Sequence, residues 1–389
     1  MRREHLKYIQ ELFQEYSAKG ELKDAACAVL SKEGTAHAEY LGDYDEKTIY
    51  RLFSMTKPVT ACALYLLAER GKLTLSQPVS DFLPYFREQK VWNGETCVPL
   101  TREVRLRDLA DMVSGLAYPG DGTYSGEIMK RKISVLTERY DRGETVEKEE
   151  ILRAVAETPL LFQPRAEWHY GISADILGAV IEVASGKELD EFLKEELFEP
   201  LDMRHADFKI SKQDEEHLAR IYTRDGGRLR PVNEARMKEL FLREPWKRPP
   251  FLAAGSGLYA TMEDYCHLVL MLLNRGCYRG RRILSEASIR TMELSALDQK
   301  QKATIYFDGM EGYNYGSLMR HLEEVLPTGG IGASGEYGWD GLLGNDFFIC
   351  PSRGLACVYF QQISEGADYT FRRKFRQIVY AAWEGADAE

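Results

Sequence analysis

Ser54 and Lys57, in the run Phe53-Ser54-Met55-Thr56-Lys57-Pro58, are the pair in this 389-residue chain whose types and spacing point most sharply to chemistry. Residues three apart on a helix share a face, so this spacing sets a hydroxyl beside an amine. Pro58 marks where the helix begins, because proline is tolerated in the first turn, where its missing N–H has no partner to lose. Ser54 therefore falls at the helix N-terminus, where free N–H groups and the dipole favour negative charge on an oxygen or on a bound oxyanion. The competing reading is an ordinary N-cap. A capping serine, however, prefers Glu or Gln three residues on, whereas Lys57 stands where the dipole disfavours a cation by roughly 0.3 to 1 kcal/mol. Dipole and burial lower the pKa of such a lysine and make it a proton acceptor for the serine. No other serine in the chain has lysine three positions later.

A second constellation is Phe162-Gln163-Pro164-Arg165-Ala166-Glu167-Trp168-His169-Tyr170-Gly171. An extended, proline-bearing stretch ends here just before a helix expected from Ser173, so Tyr170 sits at a loop-to-helix junction. An ammonium stabilises a phenolate, so Tyr170 beside Lys57 would act as base toward Ser54 and then as acid toward the leaving group. The alternative is one half-buried tyrosine among 22. His169 is a tempting triad base, but neighbours in an extended segment point to opposite sides, so it and Tyr170 do not serve one site. A G-x-S-x-G elbow is absent, and no Gly-Lys-Ser or Gly-Lys-Thr follows the glycines at 329, 330 and 332 to make a phosphate loop. Seven scattered cysteines without a C-x-x-C pair, and seven histidines without ligand spacing, read as reduced thiols of a cytoplasmic protein with no metal.

These side chains need elements to hold them. Leu6, Ile9, Leu12, Phe13 and Tyr16 predict an amphipathic helix ending near Ala18 to Gly20. A strand pair is expected over 25–31 and 35–41 around Lys32-Glu33-Gly34, and the Ser54 helix over 55–70, closed by Gly71. Helical periods follow at 106–113, 149–157, 173–184 and 189–198, with the charged run Thr145 to Glu150 as a solvated helix start. Helices at 262–274 and 286–294, strands at 313–319, 346–350 and 355–361, and a closing helix at 371–383 complete the reading. Strands at both ends with helices between them imply an α+β fold: an antiparallel sheet built from N- and C-terminal strands, flanked by helices, with an inserted, mostly helical lobe. The expected organisation is a single catalytic unit, its α/β lobe about 1–70 plus 250–389 and its helical lobe about 71–249. With 44% apolar residues the chain can bury a large core. Its 61 acidic against 51 basic residues, net charge −10, speak against a nucleic-acid partner. No export signal and no apolar run approaching the ~20 residues of a membrane span is seen, so a soluble protein is expected.

Taken together, Ser54-Met55-Thr56-Lys57, Ser114-Gly115-Leu116, Trp168-His169-Tyr170, Ala254-Gly255-Ser256-Gly257-Leu258-Tyr259-Ala260-Thr261 and Gly338-Trp339-Asp340-Gly341 resemble, in order and spacing, the serine β-lactamase and penicillin-binding-protein family. The likeness is to its class C-like branch, which also holds carboxylesterases, D-amino-acid peptidases and acyltransferases, and it runs from about residue 25 to 385. It implies a β-lactamase/transpeptidase-like fold and acyl-enzyme chemistry without a cofactor. Ser54 would be the nucleophile, Lys57 and Tyr170 the proton-transfer pair, and the backbone N–H groups of Ser54 and Leu342 the oxyanion hole. Trp339-Asp340-Gly341 would replace the family's Lys-Thr-Gly, its glycines letting backbone approach a ligand, and Ile172 stands where the family places Asn. These departures remove the amide, cation and hydroxyl that hold a β-lactam and add a negative charge. The resemblance therefore implies an esterase acting on small esters or amides, with Trp339, Asp340, Gly341, Ile172 and Tyr118 about an apolar acyl pocket. A β-lactamase, a D-stereospecific amidase or peptidase, an acyltransferase, and a non-catalytic binder of acyl ligands are the alternatives.

Overall fold

The computed structural model describes residues 2–233, 244–364, 366 and 368–383. Its centre is a seven-stranded sheet. Ala25–Ser31 (β1) is buried at six of its seven positions. An antiparallel strand reads as a continuous apolar run in this way only when both faces of its sheet are covered. The other strands are Gly34–Leu41 (β2), Tyr313–Gly316 (β3), Met319–Leu322 (β4), Tyr337–Asp340 (β5), Asp346–Cys350 (β6) and Leu355–Phe360 (β7). Their spatial order is β3-β4-β5-β6-β7-β1-β2, antiparallel throughout. The N-terminal hairpin thus closes on the last strand, with Ala26 opposite Phe360.

The helices that cover the sheet and carry the site are Lys7–Ala18 (α1), Lys57–Glu69 (α2), Tyr124–Asp141 (α3), Ser173–Ser185 (α4), Met262–Leu273 (α5) and Tyr369–Ala382 (α6). On one face α1 and α6 enclose an aromatic cluster in which Phe13 stacks on Phe371 and Phe375 at 6.2 Å. On the other, α5 lies against β1, β6 and β7, with the Tyr265 ring 5.3 Å from Phe347. Every residue of α2 from Lys57 to Leu67 is buried. A helix apolar on all sides belongs at the centre of a large core, and here it packs against α4 within the main core.

Three expectations need correction. The run 313–319 is two strands, because Ser317 and Leu318, at φ of 49° and 64°, turn the chain into a β3–β4 hairpin. Such left-handed residues without glycine or asparagine leave no turn signature. The 18-residue α3 went unanticipated because it buries only Ser125, Gly126 and Met129 and so shows no apolar stripe. The helix expected over 106–113 stops at Ala110, and that over 189–198 is α-helical only to Leu193 before widening into a π-turn. The short hairpins Lys90–Trp92 with Cys97–Pro99, and Tyr222–Asp225 with Arg228–Pro231, also lie outside the sequence reading. No helix of the described residues is long and apolar enough to cross a membrane.

Candidate active site

Phe53–Thr56 forms a 3₁₀ turn leading directly into α2. Phe53 has φ of 47°, a left-handed conformation that costs a bulky residue on the order of 1–3 kcal/mol and places strain one position before Ser54. The N-cap reading of Ser54 does not hold. Its Oγ engages no backbone N–H; it accepts hydrogen bonds from Lys57 Nζ at 3.1 Å and from the Tyr170 hydroxyl at 2.7 Å. Hydroxyl, amine and phenol from distant stretches of chain therefore converge. Ser54 itself is half-buried and reachable.

Lys57 is fully buried and donates to three neutral oxygens: Ser54 Oγ, the Tyr118 hydroxyl at 3.1 Å and Gly255 O at 2.8 Å. Burial drives its pKa down to about 8, with Asp175 and then Asp340 opposing the shift. The phenol behaves otherwise than expected. Burial pushes Tyr170 well above an ordinary tyrosine, the bonds to Ser54 and Trp339 only partly opposing it. The ammonium lies over the face of the ring, 4.7 Å from its centroid, and not at the oxygen, so no phenolate is stabilised. The Tyr170 hydroxyl is a neutral donor to Ser54 that accepts the Trp339 indole N–H at 3.1 Å. His169 faces away and pairs with Asp121 at 2.8 Å, as alternation along an extended segment requires.

The other residues singled out in the sequence divide. Trp339, on β5, packs its indole against Tyr170 and Tyr315, with centroids 5.4 and 5.1 Å apart. Tyr118 accepts a hydrogen bond from Lys57 and so steadies the amine. Asp340 adds no free negative charge: Arg320 grips it at 3.2 Å and Arg372 closer still, and against the cost of burial these two guanidiniums hold its carboxyl below the ordinary carboxylate range. Ile172 is buried in the main core, at the start of α4. Packing within the protein already requires glycine at 338 and 341. A Cβ on Gly338 would lie 2.1 Å from Phe347 O, and one on Gly341 2.5 Å from Leu52 O. The second contact seats the turn carrying Leu342 against the segment that leads to Ser54, and the Leu342 side chain is exposed. Phe307, with its ring 5.0 Å from Tyr170, and Asp175, bonded to the Gly255 N–H at 3.0 Å, had no signal in the sequence.

A half-exposed serine, a buried amine with weakened proton affinity, a neutral phenol donor and aromatic walls suit acyl transfer to and from a hydroxyl. Fold and site define a serine hydrolase. The chain belongs to the Beta-lactamase family, whose model matches residues 9–381. It is 27% identical to esterase EstB of Burkholderia gladioli over 370 residues, covering 90% of this chain and 86% of that protein. EstCE1, described as a hydrolase with promiscuous acyltransferase activity, has the same fold, with a TM-score of 0.80 at 20% identity over 97% of this chain and 99% of EstCE1. Unliganded simvastatin synthase LovD of Aspergillus terreus also gives a TM-score of 0.80 at 20% identity, covering 98% and 99%.

Proposed function

We propose that this chain cleaves small esters with apolar acyl groups through an acyl-enzyme on Ser54. The observation that carries the reading is the placement of Ser54 Oγ between Lys57 Nζ and the Tyr170 hydroxyl, at 3.1 and 2.7 Å. Once deprotonated, Lys57 takes the Ser54 proton as Oγ bonds to the carbonyl carbon. The backbone N–H groups of Ser54 and Leu342 then receive the oxyanion. As the tetrahedral species collapses, the carbon–oxygen bond to the leaving group breaks, and Tyr170 delivers a proton to the departing alkoxide and recovers one from the Lys57 side. Water, or an alcohol in acyl transfer, attacks the acyl-enzyme by the reverse of these steps. The groups come from both the sheet side (Ser54, Lys57, Trp339) and the helical side (Tyr118, Tyr170), which supports reading the chain as one catalytic unit of two lobes.

The name of EstB and the description of EstCE1 support an ester substrate. Trp339 and the neutralised Asp340 leave no cation on β5 for a β-lactam carboxylate, so esters are expected to react faster than β-lactams. A fluorophosphonate probe tests the assignment. It is expected to label Ser54 stoichiometrically, and Ser54→Ala is expected to abolish both labelling and hydrolysis of a chromogenic ester. Wild-type turnover in Ser54→Ala would overturn the reading.

A further inference from the structure

Asp175 is a carboxylate in the wrong company. It lies in the first turn of α4, 3% exposed, between Ala174 and Ile176, which are wholly buried. Among the described residues it forms no direct ion pair. Burial pushes its pKa up, and Lys57 first and then the Gly255 N–H pull it back, so its charge depends on these neighbours.

The offset is Lys57, reached across Gly255. Asp175 Oδ1 accepts the Gly255 N–H at 3.0 Å, and Gly255 O accepts Lys57 Nζ at 2.8 Å. A Cβ on Gly255 would stand 2.8 Å from Asp175 Oδ2 and 3.3 Å from Lys57 Nζ, so both charged groups press against the same side of this residue and only glycine admits them. The Gly255 segment is itself pinned to α2, because Thr60 Oγ1 donates to Ala254 O at 2.6 Å and Leu258 N–H donates to Thr56 Oγ1 at 3.2 Å. The groups facing Lys57 are Asp175 from α4, Asp340 from β5, and the phenols of Tyr118 and Tyr170. Tyr118 and Tyr170 are neutral, and Asp340 is already matched by Arg320 and Arg372. Asp175 is the facing carboxylate whose charge no arginine answers.

We propose that Asp175 is a positioning residue that sets the proton affinity of Lys57 and fixes its place through the Gly255 backbone; this rests on the reading of Lys57 as proton acceptor for Ser54. Burial alone would strip the amine of its proton and leave a weak base. The carboxylate restores part of that affinity, bringing the amine to about 8, near the pH at which a general base works best.

Asp175→Asn separates charge from geometry, since the amide oxygen can accept the same Gly255 N–H. The experiment is the pH dependence of kcat/KM for a chromogenic ester, from about pH 5 to 10, in wild type, Asp175→Asn and Ser54→Ala. Wild-type activity is expected to rise with pH through a midpoint near 8 as Lys57 loses its proton. Removing a negative charge favours the neutral amine, so in Asp175→Asn the midpoint is expected to move down by about one unit. That makes activity at acid pH about tenfold larger relative to the plateau, while the plateau itself falls because the base is weaker. A purely structural role would lower activity or stability and leave the midpoint where it was, and that result overturns the proposal. Full turnover in Ser54→Ala would instead overturn the assignment of the site. If Asp175→Asn does not fold, wild-type protein with ¹³C-labelled aspartate gives the answer. The Asp175 carboxyl resonance is expected to shift with the midpoint of the rate, and a resonance that stays flat there refutes the coupling.

Discussion

Two buried groups of cations lie on either side of β5. At the head of α2, Lys57 has only neutral oxygens as hydrogen-bond partners. Between β5 and α6, Arg320 and Arg376 share Asp346 at 2.5 and 2.9 Å, Arg320 and Arg372 share Asp340, and Arg376 also reaches Glu336 at 2.6 Å. Burial penalises the charged form of Lys57, Arg320 and Arg376 alike. Lys57 is left with weakened proton affinity, whereas Arg320 and Arg376, despite burial, are held above an ordinary arginine by their carboxylates. What separates a reactive group from a strut is therefore how far its charge is compensated, not how deeply it is buried. The arginine network ties β4, β5, β6 and α6 into one unit, and Trp339 on β5 inherits its rigidity.

The largest test of this contrast is Lys57→Arg, which keeps the charge but cannot release a proton. It is expected to lower kcat by ~10²-fold or more, as Lys57→Ala and Tyr170→Phe would, with the fold retained by circular dichroism. Near-normal turnover in Lys57→Arg would erase the distinction between the two regions. Next comes Asp340→Asn, which deprives two buried guanidiniums of an anion. Urea unfolding is expected to show a loss of about 3–5 kcal/mol, while the midpoint of the pH–rate profile stays within a few tenths of a unit of wild type. A large shift in that midpoint would mean that Asp340, and not Asp175, answers Lys57. The smallest effect belongs to Leu342→Ala. Its side chain is exposed and only its N–H is assigned a role, so kcat/KM is expected to change by no more than about threefold.

The parts of the site written within one helical turn were legible in the sequence, and the parts joined by tertiary contact were not. Ser54 and Lys57 announce each other by spacing, and Pro58 fixes the helix start. Tyr170 was reachable through its junction before α4, but the state of its hydroxyl was not, because that depends on Trp339 and on how deeply the ring is enclosed. Asp340 looked like a charge offered to substrate because its partners, Arg320 and Arg372, arrive from β4 and α6. Gly255 was visible in a motif without a reason, since the reason is Asp175 on another helix. The fold followed the same rule: β1, β2, β6, β7 and α6 were predicted within a residue or two, whereas α3, lacking an apolar stripe, and the Ser317-Leu318 turn, lacking glycine, gave no local sign.

The pairing of β1 with β7, and of Arg2 N–H with Ala382 O at 2.7 Å, has a consequence for how the chain comes into being. During translation the β1–β2 hairpin is complete at Leu41, but the partner for its open edge begins only at Leu355, roughly 300 residues later. At ~5–20 residues per second that edge stays bare for some tens of seconds, a window in which neighbouring nascent chains can add to it. The hairpin over 25–41 carries none of the groups assigned to the chemistry, yet a ribosome that stalls before β7 would leave its edge unpaired.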